Sequence, residues 1–264
     1  MIDVLRSLES EFRRIGDLAP VLRAEVEGVQ KSQSGDAAVD VVTAADFRLQ
    51  EEYLRLFIGT PLAGCRLWAE ESNEALAELA THFRGDNGLY LCLDPIDGTQ
   101  RFVENTPYYS SIVSLHDGTR PLYSWIYYPK LSWWMRIAGD DIAYGGEEVH
   151  ESIQTVPNTV VYTAGVPDQD CPDWRDRLAI EGLGFKRSRE IGPYGAKYLF
   201  IRGKVAGYFV ARPNPYDGLV AYHFALAQGW PIWEERPASG FTALERDARG
   251  LHYAFRYLVR RPAD

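Results

Sequence analysis

The 264-residue chain has three cysteines, Cys65, Cys92 and Cys171, and they lie far apart. An odd, scattered set builds neither a disulfide framework nor a zinc motif, so the thiols read as reduced, in keeping with a cytoplasmic protein. No segment approaches the roughly 18 uninterrupted apolar residues of a membrane span. The opening stretch "MIDVLRSLESEFRRIGDLAPVLRAEVEGV" lacks the continuous apolar core of a signal peptide, since its apolar residues recur at helical spacing. Positive charge is in deficit, 28 Lys and Arg against 37 acids, a formal charge of −9. That balance argues against a nucleic-acid surface, which needs a basic stripe to neutralise phosphates. Small anionic ligands remain open if a cation bridges them. None of the five histidines, His82, His116, His150, His223 and His252, is paired at metal-ligand spacing, and all five read as structural or solvated.

What the chain does have is an ordinary globular composition, 46% hydrophobic and 25% charged, without repeats or low-complexity tracts. Its length buries a large core that needs no metal, so any metal is expected to be catalytic. Two amphipathic helices should open the chain: about 2–30, broken at Pro20, and about 44–58 in "AADFRLQEEYLRLFIG". Between them the polar, turn-rich "KSQSGDAAVD" predicts a mobile loop carrying Lys31. "RLWAEES" predicts a short strand ending in acids, and "NEALAELATHF" a helix closed by Gly85 and Asn87. The β-branched and aromatic runs of "YSSIVSLHDGTRPLYSWIYYPKLSWWMRIAG", punctuated by "HDGT" and "YPK", predict an antiparallel meander. From about 159 strands and helices alternate as far as "WPIW". The expectation is an α/β (α+β) chain of two lobes, 1–150 and 151–264.

Chemistry is concentrated in "LYLCLDPIDGTQRF". Asp94-Pro95 and Asp97-Gly98 are ordinary turn dipeptides, and alone they support a turn about as well as a site. Glu70 and Glu71 read alone as a solvated pair ahead of a helix capped at Ser72, and Asp217 as a helix N-cap. Together these acids suit a hard cation such as Mg²⁺, which takes a few protein oxygens and leaves the rest to water and phosphate. Asp94 and Asp97 offer carboxylates and Ile96 a carbonyl, while Pro95 stiffens the turn. Gly98 and Thr99 then open a helix whose free N–H groups suit an anion.

"WAEES", "LDPIDGTQRF" and "NPYD", in this order and at these separations, resemble the inositol monophosphatase family of magnesium-dependent, lithium-sensitive phosphatases. "DVVTAADFRLQEEYL" resembles that family's N-terminal motif, and the resemblance spans about residues 36 to 232. It implies a layered α-β-α-β-α sandwich with the motifs meeting in one cleft between the lobes, and commonly a homodimer. It implies two or three Mg²⁺ ions: one on Glu70, Asp94 and the Ile96 carbonyl, a second on Asp94, Asp97 and Asp217, and a water-rich third near Glu70. Asp46 would work with Thr99 to orient and deprotonate the attacking water. Backbone amides of Gly98 and Thr99 would bind the phosphate.

Two departures bear on the substrate. Gln100 and Arg101 stand where inositol-specific members carry Thr-Asn, and Val210 stands where those members place an acid that contacts substrate hydroxyls. Arg212 is a candidate for a second phosphate or carboxylate, with Lys197 and Arg189 weaker ones. The gap after Lys31 is longer than the family's, so Lys31 receives no role. The expected activity is a Mg²⁺-dependent phosphomonoesterase acting on a small phosphorylated metabolite. Inositol phosphates, fructose 1,6-bisphosphate, histidinol phosphate and 3′-phosphoadenosine 5′-phosphate are the substrates in view. The alternative from another class is a non-catalytic protein that binds metal or phosphorylated ligand; retention of every acid and of Thr99 weighs against it.

Overall fold

The computed structural model describes residues 1–25, 44–146, 153–163, 172–235, 240–247, 250–253 and 255–262. Lys31, the rest of its loop, His150 and Cys171 lie outside the described residues. The chain divides into two compact units, Met1–Val149 with Pro215–Asp217, and His150–Asn214 with Gly218–Asp264. Each is mixed α/β.

In the first unit a six-stranded sheet runs β1 (Arg66–Ala69), β2 (Tyr90–Asp97), β3 (Ser110–His116), β4 (Pro121–Tyr128), β5 (Trp133–Ala138) and β6 (Asp141–Gly146). All neighbours are antiparallel except β1 and β2. Those two are joined through helix α5 (Glu74–Ala80), because parallel strands need a crossover. Leu91, Cys92 and Leu93 are all buried, so the apolar run of β2 reflects a strand covered on both faces. The meander expected after it is present as β3 to β5, and β6 extends it by one strand.

Helices α1 (Ile2–Ser7), α2 (Glu9–Gly16), α3 (Leu18–Glu25) and α4 (Ala44–Ile58) belong to the same unit. Leu5, Phe12, Ile15 and Ala19, spaced three, four or seven apart, are buried along the first three. Leu49, Tyr53 and Phe57 do the same on α4, and the Phe12, Tyr53 and Phe57 rings meet at about 6 Å. The Tyr53 hydroxyl donates to the Phe12 carbonyl (3.1 Å) and meets the Ser111 hydroxyl at 2.8 Å, satisfying the polar atom inside this core. The break expected at Pro20 falls elsewhere, at Leu8 and Asp17. Pro20 is the third residue of α3, within the first turn, where a missing N–H removes no helical hydrogen bond.

The second unit has a five-stranded sheet in the order β10 (Ile232–Glu235), β13 (Arg256–Arg260), β9 (Val205–Val210), β7 (Val156–Tyr162) and β8 (Gly184–Arg187). Strand β7 is parallel to both β8 and β9, with α7 (Pro172–Ile180) and α8 (Ala196–Ile201) in the connections. Helix α9 (Val220–Ala227) precedes β10, and β11 (Leu244–Asp247) pairs with β12 (Gly250–Tyr253). Val160, Tyr162, Trp174, Leu178, Phe209 and Leu258 form its core.

His116 ends β3 as a buried neutral ring. Its Nδ1 accepts from the Gly118 N–H at 3.0 Å, and the ring stacks on Tyr90 with centroids 4.7 Å apart. Burial pushes its pKa down to about 3, opposed by Asp117. The unfolded chain therefore binds a proton that the folded one refuses between about pH 6.5 and 3, and stability falls as pH drops through that window. Urea unfolding at pH 7 and pH 5 should show the wild type losing about 2 kcal/mol more than His116→Phe over that interval. Equal losses would show that His116 does not titrate on unfolding.

Candidate metal centre

The local device is a bulge in β2. Asp94 pairs with Ile112 and Asp97 with Ser110, so three steps along β2 match two along β3. Residues three apart in a regular strand point to opposite faces; the extra residue returns Asp97 to the face of Asp94. Pro95 sits inside the irregularity, where its missing N–H interrupts the ladder at no added cost. A few residues on, Gly98 caps helix α6 (Thr99–Val103) with φ +88°, a left-handed conformation that costs other residues about 1–2 kcal/mol.

The structure brings Asp94, Asp97 and Asp217 together: one carboxylate oxygen from each lies within 4.8 Å of the others. Asp97 Oδ2 accepts from the Ser110 hydroxyl at 2.9 Å, which fixes its rotamer. Asp94 is 4% exposed, and its Oδ1 is buried with no hydrogen-bond partner. A buried carboxylate oxygen in that state is costly unless a cation meets it.

Asp217 is not the helix cap that its sequence context suggests. Helix α9 starts at Val220 with Leu219 in the cap position. By its contacts Asp217 belongs with Pro215 and Tyr216 to the first unit. The chain on either side is tied down: the Pro213 carbonyl accepts from the Tyr253 N–H, and the Gly218 carbonyl accepts from the Tyr257 hydroxyl. Gly218 also closes the turn, its N–H donating to Asn214 at 2.9 Å, and an added Cβ would stand 2.5 Å from the Asn214 oxygen.

Glu70 extends β1 by one residue, its N–H donating to the Leu93 carbonyl at 3.2 Å. This places it beside Asp94, with which its carboxyl shares a hydrogen bond. Glu70 keeps one side open to solvent, yet its pKa is raised, first by lost solvation and then by the charges of Glu71, Asp217 and Asp46; the bond with Asp94 works the other way. Asp94 is raised well above the ordinary range, by burial first and then by Glu70, Asp97 and Asp217. Carboxyls that resist ionisation together are what a divalent cation relieves, so the donor set fits a hard, oxygen-seeking metal.

Asp46 lies fully buried on α4 and contributes to the field at Glu70. Ile96 is buried, and its carbonyl accepts from the Thr99 hydroxyl at 3.2 Å. Gln100 is exposed and donates to Glu104 at 3.0 Å. Arg212 is exposed and belongs to the second unit. Helix α5 is capped by Asn73, whose side chain accepts from the Leu76 N–H, rather than by Ser72. Sequence reading missed two residues. Ser110 becomes visible only through the strand register; Gln50, one turn after Asp46 on the buried face of α4, is a polar residue where the apolar period calls for a core one.

A model of the inositol monophosphatase family matches residues 9–221. No curated protein sequence matches the chain significantly. Among solved structures, an IMPase from Thermotoga maritima superposes with a TM-score of 0.65 at 17% identity, covering 98% of this chain and 92% of that one. Staphylococcal inositol monophosphatase-1, in an inhibitory complex soaked in LiCl, gives 0.65 at 17%, covering 98% and 90%. An IMPase/NADP phosphatase complexed with Mg²⁺ and phosphate gives 0.63 at 17%, covering 98% and 90%. At such identities the likeness speaks to the fold.

Crowded acids strain the metal-free protein. Asp94→Asn should raise its thermal midpoint in EDTA by roughly 2–4 °C at pH 8, the equivalent of about 1 kcal/mol. A lowered midpoint in a differential scanning calorimeter would contradict the repulsion argument.

Proposed function

Since the chain belongs to the inositol monophosphatase family, we propose that it is a Mg²⁺-dependent phosphomonoesterase acting on a small phosphorylated metabolite by direct attack of water. The observation that carries this reading is the bulge of β2, which turns Asp94 and Asp97 to one face beside Asp217 and leaves a buried Asp94 oxygen without a hydrogen-bond partner.

Glu70, Asp94, the Ile96 carbonyl, Asp97 and Asp217 would hold the two or three Mg²⁺ ions. Bound there, the cations would offset the phosphate charge and lower the pKa of the attacking water. A phosphate ester dianion would otherwise be repelled by the acids, so binding and chemistry share one requirement. Asp46, with Glu70 nearby, is the proposed acceptor of the water's proton, and the Thr99 hydroxyl orients the same water. Backbone N–H groups of Gly98 and Thr99 hold the phosphate oxygens. No serine or cysteine stands in a recognisable nucleophile setting, and none is needed.

Gln100 and Arg212 are proposed to meet the rest of the substrate. Arg212 suits a second anionic group, because its planar fork binds phosphate or carboxylate through two hydrogen bonds. Val210, in place of an acid, weighs against strict inositol specificity and towards sugar, amino-alcohol or nucleotide monoesters. The working unit is proposed to be a homodimer. The deficit of positive charge weighs against nucleic acid, and no helix among the described residues is long and apolar enough to cross a membrane.

Inorganic phosphate release from a panel of monoesters should depend on Mg²⁺, stop in EDTA and be inhibited by Li⁺. Asp97→Asn should lower the rate by at least about 100-fold, more than the 10–100-fold typical when a group merely supporting a ligand is lost. Silence across inositol, sugar, amino-alcohol and nucleotide monoesters would overturn the enzymatic reading in favour of a binding role.

A further inference from the structure

Among the described residues strand β1 is the edge of its sheet, and its continuation carries Glu70. Along a strand, backbone N–H and C=O groups face the two neighbours alternately, so Glu70 turns its N–H towards β2 and Glu71 turns its own groups away from it. On that side the described residues offer no strand. The Glu71 groups meet Gln50 instead: its Nε2 donates to the Glu71 carbonyl at 2.7 Å, and its Oε1 accepts from the Glu71 N–H at 2.9 Å. One carboxamide thus reproduces the pairing of a missing β-strand residue. Gln50 is 1% exposed and sits one turn after Asp46, which is fully buried, on a helix face otherwise filled by Ala45, Leu49, Tyr53, Leu54 and Phe57.

We propose that Gln50 is a positioning residue for the metal centre, holding the backbone of Glu71 so that the Glu70 carboxylate stays against Asp94. The inference rests on the proposed function. Two fixed points bracket Glu70, its own N–H on the Leu93 carbonyl and the Gln50 clamp one residue later. The clamp adds two hydrogen bonds to the Glu70–Leu93 one at the point where Glu70, Glu71, Asp94 and Asp217 repel one another. Because Asp46 and Gln50 share one face of one helix, α4 would place the water-orienting acid and the ligand-bearing edge by the same rigid element. Gln50 touches neither substrate nor metal; it acts through Glu70.

The test is calorimetric titration of the metal-free full-length protein with MgCl₂. Gln50→Met keeps the volume and removes both hydrogen bonds, and should weaken Mg²⁺ affinity by about 10–100-fold. Gln50→Asn keeps both polar atoms but falls one methylene short of the Glu71 backbone, and should also weaken it. It provides the readout if Gln50→Met does not fold. A purely structural role would lower the thermal midpoint in EDTA and leave the Mg²⁺ affinity of the folded variants unchanged, and that result overturns the inference alone. Wild-type protein that takes up no Mg²⁺ would overturn the proposed function and this inference with it.

Discussion

Mutual repulsion among carboxyls crowded around the buried Asp94 is the constraint that the first unit must satisfy. Glu70, Asp94, Asp97 and Asp217 come from three separate stretches of chain, and in the absence of a cation each disfavours ionisation of its neighbours. Sequence proximity alone brings together only Asp94 and Asp97, and a regular strand would have turned those two apart. The bulge reverses that, and it is affordable because β2 is otherwise fastened by apolar burial on both faces and by ladders to β1 and β3.

The backbone around the remaining acids is itself held by hydrogen bonds. Glu70 is set by a one-residue extension of the β1–β2 pairing and by the Gln50 clamp on the next residue. Asp217 is set by a glycine-closed turn whose flanks are bonded to the chain near Tyr253 and Tyr257. Asp97 is oriented through its side chain by the Ser110 hydroxyl.

The most legible part of the sequence was the part where local chemistry and final geometry coincide. "LDPIDGT" writes its strand, its irregularity and its helix start in consecutive residues, and the 44–58 helix follows from its apolar period. Legibility failed where tertiary pairing decides. Pro20 looked like a break, yet a proline in a first turn breaks nothing. Asp217 taken alone reads as a cap, yet the helix begins three residues later, and the reading with the other acids is the one that places it beside Asp94 and Asp97. Strand β13 lies beyond the last segment read as regular, although its "RYLVR" enters the middle of the second sheet between β9 and β10. Gln50 and Ser110 depend on partners 21 and 13 residues away, which no single-sequence period reveals.

A family match over residues 9–221 and solved structures that share the fold at 15–18% identity make the architecture secure while leaving the chemistry to the residues. The acid cluster is proposed to hold divalent cations. The most direct measurement is the thermal midpoint of the metal-free protein across a MgCl₂ titration at constant ionic strength. Binding to the folded state alone should raise the midpoint progressively, by an amount equivalent to about 2.7 kcal/mol at a hundred times the dissociation constant. A midpoint that stays flat across the titration would contradict cation binding by these acids.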